Sequence, residues 1–260
     1  RHTAHHVGVD LCRDTGTGVQ NGQRIAQGTM PKNPVAVKSI VSTPLADVVA
    51  KSYGIQMINV LTGFKFIGEK IKEFEETGSH TYIFGFEESY GCLTGTYARD
   101  KDAVVASMTL CEAAAYYKTQ GKTLWDAMID MYEKYGYYKD DVKAITLKGI
   151  EGLEKIQTIL ETLRADAPKE IGGYKVLKVR DYKKDTITDL ADGKVTSTGL
   201  PASNVLYYEL EDDAWVCVRP SGTEPKVKFY YGIKGTSLEE ADAKSESLGK
   251  EVLAMIEKML

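Results

Sequence analysis

Three short apolar runs, separated by longer amphipathic runs, constrain the fold of this chain more than any other feature. The runs at 35–42, 55–61 and 81–86 are rich in β-branched and aromatic residues, which favour strands. The segments between them, 45–53 and 64–76, carry apolar residues at helical spacing. Because parallel neighbours need a crossover, this order predicts a βαβαβ arrangement with a parallel sheet and helices on its faces.

The second half of the chain has a different pattern. A loop at 87–101 and helices at 102–119 and 123–135 precede Gly136, where we place a domain boundary. Beyond it the sequence predicts a strand at 143–148, a helix at 150–165, strands at 174–181, 205–211, 215–219 and 226–232, and a helix at 237–260. Strands that are grouped together and flanked by helices indicate an α+β domain with a mostly antiparallel sheet.

The predicted fold class is therefore α/β with two domains. We expect residues 28–136 to form a three-layer βαβ domain with a mostly parallel sheet, and residues 137–260 to form the α+β domain. Residues 1–27 show little periodicity, and we interpret them as a linker or the truncated end of a preceding domain. The spacing of His2, His5 and His6 suits a metal site. The simpler alternative is that this terminal segment is a poorly ordered tail.

Composition excludes several classes of function. With 33 Lys and Arg against 37 Asp and Glu, the net charge is −4, which argues against a general nucleic-acid or anionic-membrane surface. No apolar run reaches the roughly 18 to 20 residues of a bilayer span, and no signal segment opens the chain. We therefore expect a cytoplasmic protein with no nucleic-acid and no membrane partner.

One segment between two predicted strands is dense in groups that bind anions. Arg219 can donate two N–H bonds to one phosphate, and Lys228 on the following strand adds a point charge. Ser221 and Thr223 supply hydroxyls, while Gly222 lets backbone amides approach closely. The alternative is a tight hairpin turn whose polar residues only face water.

A second candidate lies at the end of the third predicted strand, where sheets of this kind bind ligands. Glu87 can only accept hydrogen bonds and Ser89 can donate or accept, so the two suit adjacent sugar hydroxyls. The alternative is an acidic turn whose carboxylates cap a helix. Lys101, near the start of a helix, is a candidate proton carrier, and Lys65 is a further basic candidate. Both lysines are equally compatible with solvated surface charge.

In this order, these segments resemble the α-D-phosphohexomutase superfamily, the phosphoglucomutases and phosphomannomutases, over its carboxyl-terminal half. The most specific matches are Gly-Phe-Glu-Glu-Ser-Tyr-Gly at 85–91, similar to the family's sugar-binding loop, and Arg-Pro-Ser-Gly-Thr-Glu-Pro at 219–225, similar to its phosphate-binding loop. Thr-Gly-Phe-Lys-Phe-Ile-Gly at 62–68 and Arg-Asp-Lys-Asp at 99–102 also fit. The resemblance implies that the chain supplies domains three and four of a four-domain enzyme.

The resemblance also implies an activity and roles for these residues. Such enzymes interconvert hexose 1-phosphates and hexose 6-phosphates through a bisphosphorylated intermediate. Glu87 and Ser89 would hold sugar hydroxyls, with Lys65 near the substrate, and Lys101 matches a family lysine suspected of proton transfer. The phosphate would be held by a set of loop and strand residues: Arg219, Ser221, Gly222, Thr223 and Lys228.

Two parts of the family pattern are missing from this sequence. It contains no Thr-Ala-Ser-His-Asn-Pro loop, which carries the transferable phosphate, and Arg1, Thr3 and His5 align where the family has its three magnesium-binding aspartates. Mg²⁺ and a sugar 1,6-bisphosphate activator are thus implied for the full-length enzyme, with no metal bound by this chain. We expect hexose phosphates and the absent amino-terminal domains as partners, and no turnover by the chain alone. The alternatives are a phosphomannomutase or a non-catalytic sugar-phosphate-binding module.

Overall fold

The computed structural model describes residues 22, 24–89, 91–147, 149–221 and 224–259. The chain divides into two compact units between Gly136 and Tyr137. Each unit has its own sheet and its own hydrophobic core.

The first unit alternates strands and helices, as the sequence pattern predicts. Its elements are β1 (Pro34–Ser39), α1 (Leu45–Ser52), β2 (Gln56–Val60), α2 (Phe64–Thr77), β3 (Thr81–Phe86), β4 (Cys92–Thr94), α3 (Ala103–Thr119) and α4 (Leu124–Tyr135). The sheet order is β2-β1-β3-β4, and β1 pairs in parallel with both β2 and β3. The short edge strand β4 pairs antiparallel with β3, inside a segment where the sequence predicts only a loop.

Apolar residues cover both faces of this sheet. On one face, Val35 and Val37 of β1 pack with Ile67 and Ile71 of α2. On the other face, Ala36 packs with residues of α1 and β3, and Ala106 of α3 adjoins this second cluster. A central strand buried on both sides needs apolar residues at consecutive positions, which is why β1 shows no alternation. The predicted three-layer architecture is confirmed.

Helices α3 and α4 of this unit begin at side-chain caps. Asp102 accepts hydrogen bonds from the backbone N–H groups of Val104 and Val105, at 2.7 and 3.2 Å, and so fixes the start of α3. Thr123 and Asp126 form a reciprocal capping box at the start of α4. These caps satisfy N–H groups that have no partner within the helix.

The second unit is built around an antiparallel sheet. Its elements are β5 (Tyr137–Thr146), α5 (Gly149–Ala165), β6 (Glu170–Ile171), β7 (Tyr174–Asp181), β8 (Thr186–Asp189), β9 (Val195–Thr196), β10 (Leu206–Leu210), a 3-10 turn (Glu211–Asp213), β11 (Trp215–Pro220), β12 (Lys226–Gly235) and α6 (Leu238–Glu257). The order is β5-β12-β11-β10-β7-β8-β9, with β6 paired to β7. All of its strand pairs are antiparallel, so the predicted α+β class is confirmed.

Two predictions for this unit were wrong in detail. The strand expected at 143–148 begins at Tyr137, because β5 pairs with β12 along its whole length. Its polar residues resemble a loop since β5 lies at the edge of the sheet, where polar side chains meet water. The short strands β8 and β9 lie in a segment for which the sequence pattern predicts no strand.

Helices α5 and α6 pack on one face of this sheet. Leu160 of α5 and Val252 of α6 lie in one cluster with Val218 and Phe229 of the central strands, and all four are fully buried. This cluster fixes the register of β11 against β12, since a shift of one residue would move these side chains to the opposite face. Among the described helices, none combines the length and the hydropathy of a bilayer span.

Substitution of Leu160 tests this core. Leu160→Ala should lower the free energy of unfolding of the second unit by about 2–5 kcal/mol, because it leaves a cavity in a closed core. Leu153, two turns earlier on α5, is 49% exposed and provides the matched control. Urea unfolding followed by Trp215 fluorescence, in a Trp125→Phe background, reports on this unit alone. Equal losses for Leu160→Ala and Leu153→Ala would contradict the assigned core.

Candidate functional site

The carboxyl ends of β1 and β3 form a natural binding position in the first unit. From β1 the chain continues to β2 on one side, and then crosses to β3 on the other side of β1. Ligands of open α/β sheets bind where the strand order reverses in this way. The segment 87–89 follows β3 directly, so the structure places the predicted sugar-binding residues at this position.

The Glu87 carboxylate is buried and holds two neighbouring segments together. It is 5% exposed. Its Oε1 accepts a hydrogen bond from the backbone N–H of Gly63, at 2.7 Å, and its Oε2 lies 3.2 Å from the Lys101 ammonium. Gly63 is the N-cap residue of α2, so this bond attaches Glu87 to the start of that helix. A buried carboxylate requires such partners, since an unpaired charge would be costly.

Lys101 contacts two carboxylates and one aromatic ring. Its ammonium lies 3.0 Å from Asp100 Oδ1 and 5.1 Å from the centre of the Phe64 ring. Burial lowers the pKa of Lys101, but hydrogen bonds to Asp100 and Glu87 outweigh it, so the pKa is raised overall. The pKa of Asp100 is lowered, chiefly by the backbone N–H of Lys101 and then by its ammonium.

Gly91 lets the Lys101 side chain reach Glu87. A Cβ at position 91 would lie 2.6 Å from Cδ of Lys101, and the residue has a φ of 137°, which disfavours any other side chain. Gly91, at the end of the predicted sugar-binding segment, is therefore favoured by its positive φ and by the path of the lysine.

Ser89 and Lys65 lie on the surface near this position. Ser89 is exposed, two residues after Glu87 on the same loop. Lys65 is exposed on the first turn of α2, and its ammonium lies 4.7 Å from the centre of the Phe66 ring. Among the described residues, Lys65 has no carboxylate partner.

Sequence reasoning missed a polar network beside these residues. Ser39 Oγ donates to Oε2 of Glu88 at 2.7 Å and lies 2.9 Å from Ser42 Oγ. The Lys38 ammonium donates to the Ser42 carbonyl at 3.0 Å and pairs with Asp47 at 3.1 Å. The available signal was the polar pair Lys38-Ser39 at the end of an otherwise apolar strand.

In the second unit, two cations lie directly opposite each other. Arg219 of β11 is in register with Lys228 of β12. Their neighbours Val218 and Phe229 face the core, so Arg219 and Lys228 share the other face of the sheet. Directly opposed residues have Cβ atoms about 4.5–5.5 Å apart, and like charges at this distance repel. Within the described part of the chain, neither cation forms an ion pair.

The turn between these strands is the predicted phosphate loop. Ser221 donates its backbone N–H to the Lys226 carbonyl at 2.7 Å, which closes the turn. Glu224 pairs with Lys226 at 3.0 Å, and so neutralises a lysine other than Lys228. Gly222 and Thr223, which the sequence also assigns to phosphate binding, lie outside the described residues.

Comparison with protein families decides the assignment. Residues 21–135 match the phosphoglucomutase/phosphomannomutase alpha/beta/alpha domain III, and residues 164–247 match the phosphoglucomutase/phosphomannomutase C-terminal domain. The chain belongs to this family. The phosphohexomutase resemblance drawn from the loop sequences is thereby confirmed.

Individual relatives agree with this family. A phosphoglucomutase from Staphylococcus aureus strain bovine RF122 / ET3-1 is 36% identical over 86% of this chain, and this chain spans 40% of that protein. Among solved structures, a putative phosphomannomutase from Thermus thermophilus has a TM-score of 0.58 at 19% identity, over 95% of this chain and 40% of the other. The phosphoglucomutase pp63/parafusin of Paramecium has a TM-score of 0.56 at 16% identity, with the same two coverages. The structural likeness concerns the fold.

The magnesium implied for phosphohexomutases does not fit the described residues. No group of three or more His, Cys, Asp or Glu side chains among them is arranged to hold a metal ion. The segment that the resemblance aligns with the family's metal loop, together with His2, His5 and His6, lies outside the described residues. The roles argued below therefore involve only the side chains of this chain.

The ion pair at Lys101 gives a direct prediction. Glu87→Gln should lower the pKa of Lys101 relative to the parent, because the neutral amide stabilises the ammonium less while part of the burial remains. Lysine side-chain NMR across pH 8–12 measures this. Because the folded-state pKa is raised, the pair stabilises the fold below the ordinary lysine pKa, and this stability is lost as pH rises through the folded value. Glu75→Gln, which removes a partner of Arg99, is the control, and an unchanged Lys101 pKa in Glu87→Gln would refute the ion pair.

Proposed function

We propose that this chain is the substrate-binding part of a phosphoglucomutase-type enzyme. The parent activity is interconversion of hexose 1-phosphates and hexose 6-phosphates through a bisphosphorylated intermediate, with a sugar 1,6-bisphosphate as activator. Family membership supports the reaction class. Since the chain spans 40% of the curated relatives, the domains it would act with are part of the proposal.

The observation that carries the proposal is the pair Arg219 and Lys228. Two cations held opposite each other on adjacent strands repel unless an anion lies near both. A phosphate dianion suits them, because the guanidinium can donate two parallel bonds and the ammonium supplies a point charge. Ser221, Gly222 and Thr223 belong to the same proposed phosphate site by their place in the turn.

The sugar is assigned to the loop after β3. A carboxylate has about four acceptor positions, so Glu87 keeps acceptor capacity after binding Gly63 and Lys101. Ser89 is exposed on the same loop and can donate or accept. An acceptor-only group beside a hydroxyl suits a sugar diol, and Lys65 adds a cation at the nearby start of α2.

Lys101 is assigned to proton transfer at a sugar hydroxyl. Its raised pKa keeps it as an ammonium near neutral pH, so it is a proton donor in the resting state. Glu87 and Asp100 hold the ammonium in place. A donor held in this way can protonate the sugar oxygen whose bond to the phosphate breaks, once that oxygen lies within hydrogen-bond distance.

The sugar is proposed to be glucose. The S. aureus relatives at 35–36% identity are named phosphoglucomutases, which supports glucose phosphates over mannose phosphates. A phosphomannomutase is the second candidate, because glucose and mannose differ at one hydroxyl and Glu87 with Ser89 can bind either epimer.

Loss of the phosphate-binding cation tests the assignment. Arg219→Ala should weaken glucose 1-phosphate binding roughly 10- to 100-fold, since charge-assisted hydrogen bonds contribute about 1.5–3 kcal/mol. Isothermal titration calorimetry measures the affinity. Lys250→Ala, on the exposed surface of α6, is the control and should bind like the parent. Parent-like affinity in Arg219→Ala would remove the basis of the phosphate site.

Catalysis by the chain alone is a separate question. Phosphoryl transfer needs a phosphate donor and a metal in line with the acceptor, and the sequence carries neither the serine loop nor the aspartate loop of the family. A coupled glucose 1-phosphate assay with Mg²⁺ and glucose 1,6-bisphosphate should therefore give only the background rate. The S. aureus phosphoglucomutase is the positive control. Robust turnover would contradict this prediction, while binding without turnover is also what a non-catalytic module would show.

A further inference from the structure

We propose that Glu88 is a positioning residue, which anchors the loop carrying Glu87 and Ser89 to the end of β1. This inference rests on the proposed function of that loop in sugar binding. Glu88 lies between the two residues assigned to the sugar, but its side chain turns to the sheet instead: Oε2 accepts from Ser39 Oγ at 2.7 Å.

The number of hydroxyl protons decides which serine donates each hydrogen bond in this network. A serine hydroxyl has one proton, and that of Ser39 goes to Glu88. The 2.9 Å contact between the hydroxyls of Ser39 and Ser42 therefore uses the proton of Ser42. The bonds run in one direction, from Ser42 through Ser39 to the carboxylate. A short O–H···O⁻ bond of this kind is among the stronger hydrogen bonds in proteins.

Ser39 and Ser42 lie in a buried turn that is held by several hydrogen bonds. Ser39 is 0% exposed and Ser42 is 2% exposed. The Ser42 N–H donates to the Ser39 carbonyl at 3.0 Å, which closes a tight turn after β1. The Lys38 ammonium holds the Ser42 carbonyl and is itself paired with Asp47 on α1. Glu88 is thus tied to a turn that is fixed from both sides.

The hydrogen bonds from Ser42 through Ser39 to Glu88 join the end of β1 to the loop after β3. These are the two strands at which the strand order of the sheet reverses. Among the described residues of this loop, one backbone hydrogen bond crosses its base, from the Glu87 N–H to the Gly91 carbonyl at 3.4 Å. The Glu87 side chain is held by Gly63 and Lys101, and the Ser39 bond adds an attachment at the next residue, Glu88, which precedes Ser89. Without it, Ser89 would lose its fixed position relative to Glu87, which stays attached to Gly63 and Lys101.

Binding measurements on the whole chain test this role. For each variant, the affinity for glucose 1-phosphate is divided by that for inorganic phosphate, and this ratio measures the contribution of the sugar. Glu88→Ala should lower the ratio roughly 10-fold, the effect of one charge-assisted hydrogen bond, and leave phosphate affinity unchanged. Glu88→Gln keeps an oxygen that accepts from Ser39, and should restore most of the ratio. Glu76→Ala, on the exposed face of α2, is the control.

A double-mutant cycle separates positioning from a general loss of structure. Ser39→Ala should lower the ratio as much as Glu88→Ala, and the double variant should lose no more than either single variant. Amide NMR spectra should place the changes within residues 39–42 and 87–91. Additive losses, or no rescue by Glu88→Gln, would overturn the proposal. A parent ratio near one would instead refute sugar binding by this loop, which distinguishes failure of the proposed function from failure of this inference.

Discussion

The candidate sugar site depends on one buried charge, the Glu87 carboxylate. Its oxygens join the N-terminus of α2, through Gly63, to the segment before α3, through Lys101. Three segments that are distant in the sequence are thereby held at the carboxyl end of the sheet. Because burying a carboxylate is unfavourable unless it is paired, the cost of Glu87 is offset only when all three segments take these positions. One interaction thus links the fold of the first unit to the geometry of its site.

Much of the fold follows from the sequence because its signals are local. The limits of β3 come directly from a run of β-branched and aromatic residues, and Asp102 marks the start of α3 by a cap that needs no tertiary context. The start of β5 was wrong because an edge strand draws its stability from its partner, here β12, more than from its own apolar residues. Local patterns contain no information about such a partner.

Only part of the candidate site could be predicted from the sequence, because local patterns do not show which distant residues become partners. The residues that the sequence does indicate are charged and lie in or near loops and turns, where charged side chains often bind ligands: Glu87, Lys101, Arg219 and Lys228. The opposition of Arg219 and Lys228 is a matter of register, which the sequence does not specify. Likewise, the contact between Ser39 and Glu88 joins residues 49 positions apart, and it exists only because β1 and β3 are neighbours in the sheet.

The two units treat charge in different ways, and the difference suits two kinds of recognition. In the described part of the first unit, the buried charges have internal partners: Glu87 has Lys101, and Lys38 has Asp47. Charged groups that are paired in this way are held in fixed orientations. Fixed orientations suit hydrogen bonds of defined direction to hydroxyl groups. In the second unit, Arg219 and Lys228 are opposed without a described counter-ion, so attraction to an anion is the favourable way to relieve their repulsion. In the proposed function, the first arrangement binds sugar hydroxyls and the second binds phosphate.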